Sequence, residues 1–213
     1  MGAKAWFIAY YDDDPKLVLA NSPELDRGAS RQLAGRLFPD VTLNDTGDGH
    51  LHFLNPPKNQ MFVGCYGGLR IVAHYELAID RPSKVDRRWF DPTLGRTAYV
   101  HATHSVVDWF AFGLWRDGRL IRSLSVSPDG GVQEQIGDPL TFETPYWDGQ
   151  FPVDDEDDRE PYFLPFHPLD LSEASMLQHL GFQFEGYPKD WVCDPAKVLI
   201  AKFAIEKARW KFW

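Results

Sequence analysis

The apolar and polar positions of this chain are organised around residues 97–127, where two apolar runs flank Asp117-Gly118. Apolar runs on either side of an Asp-Gly pair are typical of a β-hairpin with a two-residue turn. The register set by that turn predicts that Trp109 lies opposite Val126. Neither face of the hairpin suits water, so we expect it to be a central part of a sheet that is covered on both sides.

The rest of the chain is divided into short strands and two amphipathic helices. Ser22 is a suitable N-cap for a helix over residues 23–38, whose leucines repeat on one side. A second helix is predicted over residues 171–180, with a capping box that starts at Asp170 and with Gly181 ending it in the left-handed conformation. Further strands are predicted at residues 3–11, 50–54, 60–66, 69–75 and 99–103, and within 132–142.

These elements predict an α+β fold: a mixed, mainly antiparallel sheet built on the 97–127 hairpin, with both helices packed on it. Residues 197–205 fit a closing strand or a helix equally well. A length of 213 residues suits one domain, which we assign to residues 1–205. Residues 206–213 alternate basic and aromatic side chains and are expected to form a short C-terminal tail.

Composition and charge narrow the range of partners. A formal net charge of −9 argues against nucleic acid, because such binding depends on Lys and Arg neutralising phosphates. No apolar run is long enough to span a bilayer and no signal peptide is recognisable, so we expect a cytoplasmic protein without a membrane partner. Cys65 and Cys193 are far apart and indicate two reduced thiols. Phosphate-binding and nucleophile motifs are missing, so no cofactor is expected.

An acidic segment with aromatic neighbours suggests a binding surface. Residues 154–160 carry six acids and one Arg, a run that usually forms a solvated loop. In a protein-binding or regulatory module, these charges would steer a basic partner and the aromatics would anchor it. The residues predicted to bind are Trp147, Asp154, Asp155, Asp157, Asp158 and Tyr162. The competing interpretation, favoured for aromatic side chains in general, is that they are buried and cover the sheet.

A carboxylate/histidine site is the alternative hypothesis and would make the protein a small hydrolase or transferase. His101 and His104 point to opposite faces of an unbroken strand, so they could not share a metal. A kink near Ser105 would let Asp108 orient His104 as a general base. The favoured interpretation is structural: Asp108 is a buried acid that a serine at position 125 or 127 holds across the hairpin.

Three consecutive carboxylates are the candidate metal ligands. Asp12, Asp13 and Asp14 follow the first strand, and carboxylates at strand ends can hold magnesium. An acidic triplet of this kind is more often a solvated turn between a strand and a helix. His50 and His52 have a spacing that is compatible with a metal on a strand, but no complete ligand set is adjacent to them.

Several separated motifs resemble those of a known family. The sequences concerned are MGAKAW, HSVVDWFAFGLWRDG, SLSVSPDGG, PYWDG and PFHPLDL. In this order they are similar to a group of actinobacterial cytosolic proteins of unknown function, over nearly the whole chain up to about residue 205. The resemblance implies a single cytosolic domain. It brings no catalytic residues that could be transferred to this chain.

Overall fold

Antiparallel strands form one open sheet in the computed structural model, which describes residues 3–153, 163–186 and 190–207. The strands are β1 (Lys4–Tyr11), β2 (Val41–His50), β3 (Gln60–Tyr66), β4 (Leu69–His74), β5 (Thr97–His104), β6 (Trp109–Arg116), β7 (Arg119–Ser127), β8 (Gly131–Ile136) and β9 (Leu199–Lys207). Their order across the sheet is β2-β9-β3-β4-β1-β5-β6-β7-β8. Together with the helices below, this arrangement confirms the predicted α+β class with a mainly antiparallel sheet.

The predicted hairpin is present, with a different register. Asp117 and Gly118 both have positive φ, 49° and 73°, as a tight two-residue turn of this kind requires. A bulge next to the turn shifts the pairing by one residue, so Phe110 lies opposite Val126 and the predicted pairing of Trp109 is wrong. The extra residue turns the apolar positions of β7 towards the same face as Phe110.

The helices are α1 (Pro15–Ala20), α2 (Arg27–Leu37), α3 (Thr144–Trp147) and α4 (Pro168–Leu180). The predicted 23–38 helix starts late because Asp26 is its N-cap and not Ser22: the Asp26 carboxylate accepts a hydrogen bond of 2.8 Å from the Ala29 N–H. Within the described ranges, no helix is long and apolar enough to cross a lipid bilayer.

The predicted 171–180 helix is α4, and it starts earlier than expected. His167 is the N-cap and Pro168 takes the first helical position, so Asp170 lies in the first turn and does not cap the helix. Gly181 ends the helix with φ 76°, as predicted.

The last strand of the described chain lies inside the sheet and not at its edge. Residues 197–205, which fitted a strand or a helix, contribute to β9, and β9 lies between β2 and β3. The strand predicted at residues 50–54 is a turn that follows β2. β9 pairs with two strands from the first third of the chain. This half of the sheet is therefore complete only when segments from both ends of the described chain have come together.

A separate apolar core covers each face of the sheet. On the α2 face, Leu33 and Leu37 of α2 pack against β3, and 3₁₀ turns between residues 75 and 89 cover the neighbouring strands. On the α4 face, α1 and α4 bury aromatic side chains of the central strands, among them Phe7 and Phe110. The double cover explains why the strands carry apolar residues on both faces.

A buried ion pair ties the hairpin to the segment that follows β8. Arg122 and Glu143 are both fully buried, and the guanidinium Nη2 donates to the Glu143 carboxylate at 2.6 Å. Arg122 also donates to the carbonyls of Ile136 and Gly137, so most of its donors are occupied. Arg122 thus has a structural role, since its buried charge is balanced by Glu143.

Candidate functional site

Helix α4 lies between two cavities at opposite ends of the same strands. The first half of α4 borders one cavity, together with the start of β1 and the end of β5. The last turn of α4 borders the other, with the end of β1 and the start of β5. Each cavity has a volume of about 390 Å³, within the range of ligand sites in proteins.

The cavity at the start of α4, here called the acidic cavity, is lined by one sign of charge. Its lining residues are Ala3, Thr103, Tyr146, Phe151, Leu169, Asp170, Glu173, Gln183, Glu185 and Gly186. Three of these carry carboxylates, and none of these described residues is a Lys or an Arg. Carboxylates that share a cavity repel one another, so a cation placed among them is favoured.

The carboxyl of Glu173 has a raised pKa in this cavity. Burial raises the pKa of its carboxyl to about 7, and the nearby Glu185 and Asp170 raise it as well. The backbone N–H of Phe184 donates to the Glu173 carboxylate at 2.8 Å and opposes the increase. Near neutral pH this carboxyl is therefore partly protonated, and a cation in the cavity would draw it into the ionised form.

Aromatic rings form one wall of the acidic cavity. The Tyr146 and Phe151 rings have centroids 4.6 Å apart, and the Tyr146 hydroxyl donates to the Asp170 carbonyl at 3.3 Å. Phe151 is 48% exposed, so part of this aromatic wall is open to solvent. Ring faces beside carboxylates suit an organic cation, because the face of an aromatic ring attracts positive charge.

Under α4, a chain of buried polar side chains runs from one cavity towards the other. The Tyr99 hydroxyl is hydrogen-bonded to His101 Nδ1 and to the Ser175 hydroxyl, both at 2.8 Å. His101 Nε2 lies 3.4 Å from the Ser172 hydroxyl. Burial lowers the pKa of His101 to about 3, so its imidazole stays neutral in this chain. These contacts fix how α4 sits on the sheet.

The cavity at the end of α4, here called the mixed-charge cavity, contains both signs of charge. Its lining residues are Tyr11, Asp12, Asp13, Asp14, Pro15, Lys16, Arg96, Thr97, Leu114, Arg116, Gln178 and His179. The three candidate metal ligands are therefore gathered at one cavity. Within the described ranges, however, no three His, Cys, Asp or Glu side chains are placed to hold a metal ion. Magnesium binding there stays a prediction that this geometry does not support.

The predicted binding residues have different outcomes. Asp154, Asp155, Asp157, Asp158 and Tyr162 lie outside the described residues. Trp147 is only partly exposed: its indole N–H is directed at the buried Glu143 carboxylate at 3.4 Å, and its ring packs edge-on against Phe166. The Trp147 ring is therefore partly covered, as is that of Tyr146, whereas the Phe151 and Phe163 rings are exposed.

The two candidate catalytic residues do not form a dyad. Asp108 lies in the turn between β5 and β6 with φ 45°, and its side chain is 38% exposed. The prediction that it is buried and held by a serine is wrong, because the turn carries it away from β7. Its carboxylate lies 3.7 Å from His167 Nε2. His104 ends β5, and its Nδ1 has no hydrogen-bond partner in the described part of the chain.

The alternative hypothesis also needs the carboxylates after β1 to meet His104. Lys4 pairs with His104 and Tyr11 pairs with Thr97, so the two groups lie at opposite ends of an eight-residue strand. Such a strand is roughly 25 Å long. The histidine that does share a cavity with Asp12 is His179 of α4.

The carboxylates that line the acidic cavity were not among the predicted binding residues. Asp170 and Glu173 were interpreted as a capping box, and Glu185 lies in an irregular segment without any pattern. The spacing of Asp170 and Glu173, three residues apart on a helix, was a usable signal, since it places both on one face. The raised pKa of Glu173 depends on burial, which no local pattern reports.

No curated protein and no solved structure is similar enough to the chain to count as a match. A family model does match, and it covers residues 5–203. This agrees with the resemblance at the level of a family of unknown function, whereas the actinobacterial source and the individual motifs stay predictions. The chain therefore belongs to the family described as "Family of unknown function (DUF6928)".

Proposed function

We propose that this protein is a binding module that recognises a basic segment of a partner protein in the acidic cavity. The observation that carries the proposal is the combination of three carboxylates and two aromatic rings around one cavity whose described lining contains no Lys or Arg. A Lys or Arg side chain of the partner supplies the missing charge. Its charge favours the ionised form of Glu173, whose pKa is raised mainly by burial and further by Glu185 and Asp170.

The cavity offers both kinds of contact that a cationic side chain uses. The carboxylates of Asp170 and Glu185 supply acceptors for N–H groups, and hydrogen bonds between charged partners are the strong ones. Tyr146 and Phe151 supply ring faces for the apolar stem or for a guanidinium plane.

The acidic segment gives the module its long-range attraction. Residues 154–160 begin three positions after Phe151 in the sequence and carry six acids and one Arg. Charges of one sign raise the association rate of an oppositely charged partner and make that rate sensitive to salt. In this proposal Asp154, Asp155, Asp157 and Asp158 steer the partner, while the cavity holds it.

The test is a fluorescence anisotropy titration with a labelled Arg/Ser peptide and a Glu/Ser peptide of equal length. The Arg/Ser peptide should bind and the Glu/Ser peptide should not. The double variant Asp170→Asn/Glu185→Gln should weaken binding about tenfold or more, since it removes two charge-assisted contacts. The control is Asp40→Asn/Asp138→Asn, which removes the same charge from two exposed positions outside the cavity.

Equal losses in the two double variants would mean that net charge alone attracts the peptide, and the proposal would be abandoned. A separate variant with Asn at positions 154, 155, 157 and 158 should slow association and flatten its salt dependence, with a smaller change in the dissociation rate. If the dissociation rate changes most, the acidic segment is a contact surface and does not act by steering.

The hydrolase or transferase hypothesis has less support. It relied on His104, Asp108 and the carboxylates after β1, and these are distributed over the two ends of β1 and β5. The proposal of a cytoplasmic location has one supporting observation. Cys65 and Cys193 are both free, as expected for thiols in a reducing compartment.

A further inference from the structure

The mixed-charge cavity is built on a row of side chains that crosses three strands. Tyr11 of β1 pairs with Thr97 of β5, and Thr97 pairs with Arg116 of β6. Directly paired residues project from the same face of a sheet, so these three side chains form the floor of the cavity. Gln178 and His179 of α4 form a wall above them. The cavity is therefore assembled from sheet and helix.

Most of the charged groups around this cavity already have partners. Asp12 accepts a hydrogen bond of 2.8 Å from the Arg96 N–H, and the Arg96 guanidinium is paired with Asp117 at 2.9 Å. Asp14 caps α1 by accepting from the Lys16 N–H at 3.0 Å, and the Lys16 ammonium lies 4.0 Å from the same carboxylate. These groups shape the cavity and neutralise one another.

Two opposite charges remain uncommitted. Within the described residues, the side chains of Asp13 and Arg116 form no hydrogen bond and no ion pair. They border the same cavity and do not pair with each other, so their charged atoms are more than the 4.0 Å of an ion pair apart. An exposed carboxylate and an exposed guanidinium that line one cavity without pairing are complementary to a ligand that carries both charges.

His179 supplies a neutral polar group in the same wall. The Tyr11 hydroxyl is hydrogen-bonded to His179 Nδ1 at 3.2 Å. Burial, together with the positive charges of Lys16 and Arg116, lowers the pKa of His179 to about 3. His179 Nε2 has no hydrogen-bond partner among the described residues. The imidazole is therefore an uncharged part of the wall and leaves the balance of charge to the neighbouring carboxylates and cations.

We propose that the mixed-charge cavity is a binding site for a small zwitterion of the α-amino acid class. Arg116 holds the carboxylate, for which a guanidinium is suited by its paired N–H groups, and Asp13 holds the ammonium group. A phosphate would leave Asp13 facing another anion, and a divalent cation would leave Arg116 facing another cation. The site uses residues other than those of the acidic cavity, so it does not depend on the function proposed there.

The test is calorimetric titration of the full-length protein with the common free L-amino acids. For the amino acid that binds best, two analogues are then compared: its amide, which lacks the carboxylate, and the acid that lacks the amino group. Each analogue should bind about tenfold more weakly or worse, because each loses one charged contact. Inorganic phosphate and Mg²⁺ are titrated separately.

Variants show whether the binding occurs in this cavity. Arg116→Gln and Asp13→Asn should each weaken binding about tenfold or more. Arg87→Gln and Asp40→Asn, at exposed positions away from the cavity, should leave it unchanged. Circular dichroism melting of all four variants verifies that they are folded, which is expected because both cavity positions are exposed.

The proposal is overturned if no amino acid binds, or if the amide or the acid binds as well as the zwitterion. It is also overturned if phosphate or Mg²⁺ binds and the amino acids do not. Finally, an affinity that is insensitive to both cavity substitutions in folded protein would place the ligand elsewhere.

Discussion

The two cavities beside α4 are built from the same helix and the same strands, yet their electrostatics differ. In the acidic cavity, carboxylates stand together without a Lys or Arg in the described lining, and the pKa of Glu173 is raised, mainly by burial and further by its acidic neighbours. In the mixed-charge cavity, three carboxylates and three cations face one another, and most of them are paired. The described lining of the first cavity therefore lacks a positive charge to balance its carboxylates. In the second cavity the charges balance, so the positions of the charged groups decide which ligand fits.

The difference shows how one scaffold supports two kinds of recognition. Between the cavities, the chain of buried hydrogen bonds through Tyr99 and His101 holds α4 in one position. A fixed helix gives each cavity a preorganised wall, so the side chains at its two ends can differ without changing the fold.

The largest expected effect comes from breaking the buried ion pair that holds the wall of the acidic cavity. Glu143→Gln leaves the Arg122 charge buried without its counter-charge, which should cost about 3–5 kcal/mol of the free energy of unfolding. Urea denaturation measures it, with Asp148→Asn, an exposed position in the same segment, as the control. A loss no larger than that of the control would mean that the pair does not stabilise this region.

The polar chain between the cavities predicts a loss of stability in acid. His101 has a pKa of about 3 in the folded protein and an ordinary value near 6.5 when unfolded, so only the unfolded state takes up a proton between these values. The free energy of unfolding should fall by about 1.4 kcal/mol for each pH unit between 6.5 and about 3. The variant His101→Phe should show a shallower dependence on pH in denaturation at pH 4 to 7. An unchanged slope would exclude this histidine as the cause.

The acidic cavity predicts the opposite dependence on pH. The pKa of Glu173 is about 7 in the folded protein, and its ordinary value is about 4.5. Between these values only the unfolded state gives up its proton, so the free energy of unfolding decreases as the pH rises from about 4.5 to about 7. Glu173→Gln cannot ionise and should be more stable than the wild type at pH 8 by about 2 kcal/mol. The two proteins should differ much less at pH 4. Parallel stability curves for both would contradict the raised pKa.

The smallest change in stability is expected for the ion pair of Arg96, a lining residue of the mixed-charge cavity. Asp117→Asn removes the exposed ion pair with Arg96, and such pairs contribute little to stability. Asn also tolerates the left-handed conformation that this turn position requires. The melting temperature should stay within experimental error at low and high salt. A clear decrease would show that the pair fixes the turn.

Local patterns predicted most of the central strands, where apolar runs end at clear turn residues, but not β2, and they left β9 ambiguous. Residues 60–66 were predicted with the bounds of β3, and Gly181 ended α4 as expected. The predicted register failed at a bulge, which local sequence does not mark. The cap at Ser22 failed because Asp26, four residues later, offers a carboxylate in the better position.

The candidate sites were less predictable, because cavities are formed by residues that are distant in the chain. The acidic segment and the triplet after β1 stood out as runs of charge, and the triplet does border a cavity. Arg116 and His179 carried no signal, since their meeting with that triplet depends on two strand pairings and on where α4 ends. Trp147 was singled out as an aromatic in a loop, but its indole packs inward against Phe166.

The sequence by itself determined the class of fold and the position of the main hairpin, because turn residues and apolar alternation act over a few neighbouring positions. Only the tertiary structure decided that β9 enters the sheet between β2 and β3 and that α4 separates two cavities. It also decided which carboxylates are paired and which face an open cavity. Burial and charge pairing depend on contacts between distant segments, and it is these contacts that set the pKa values and the free charges on which binding depends.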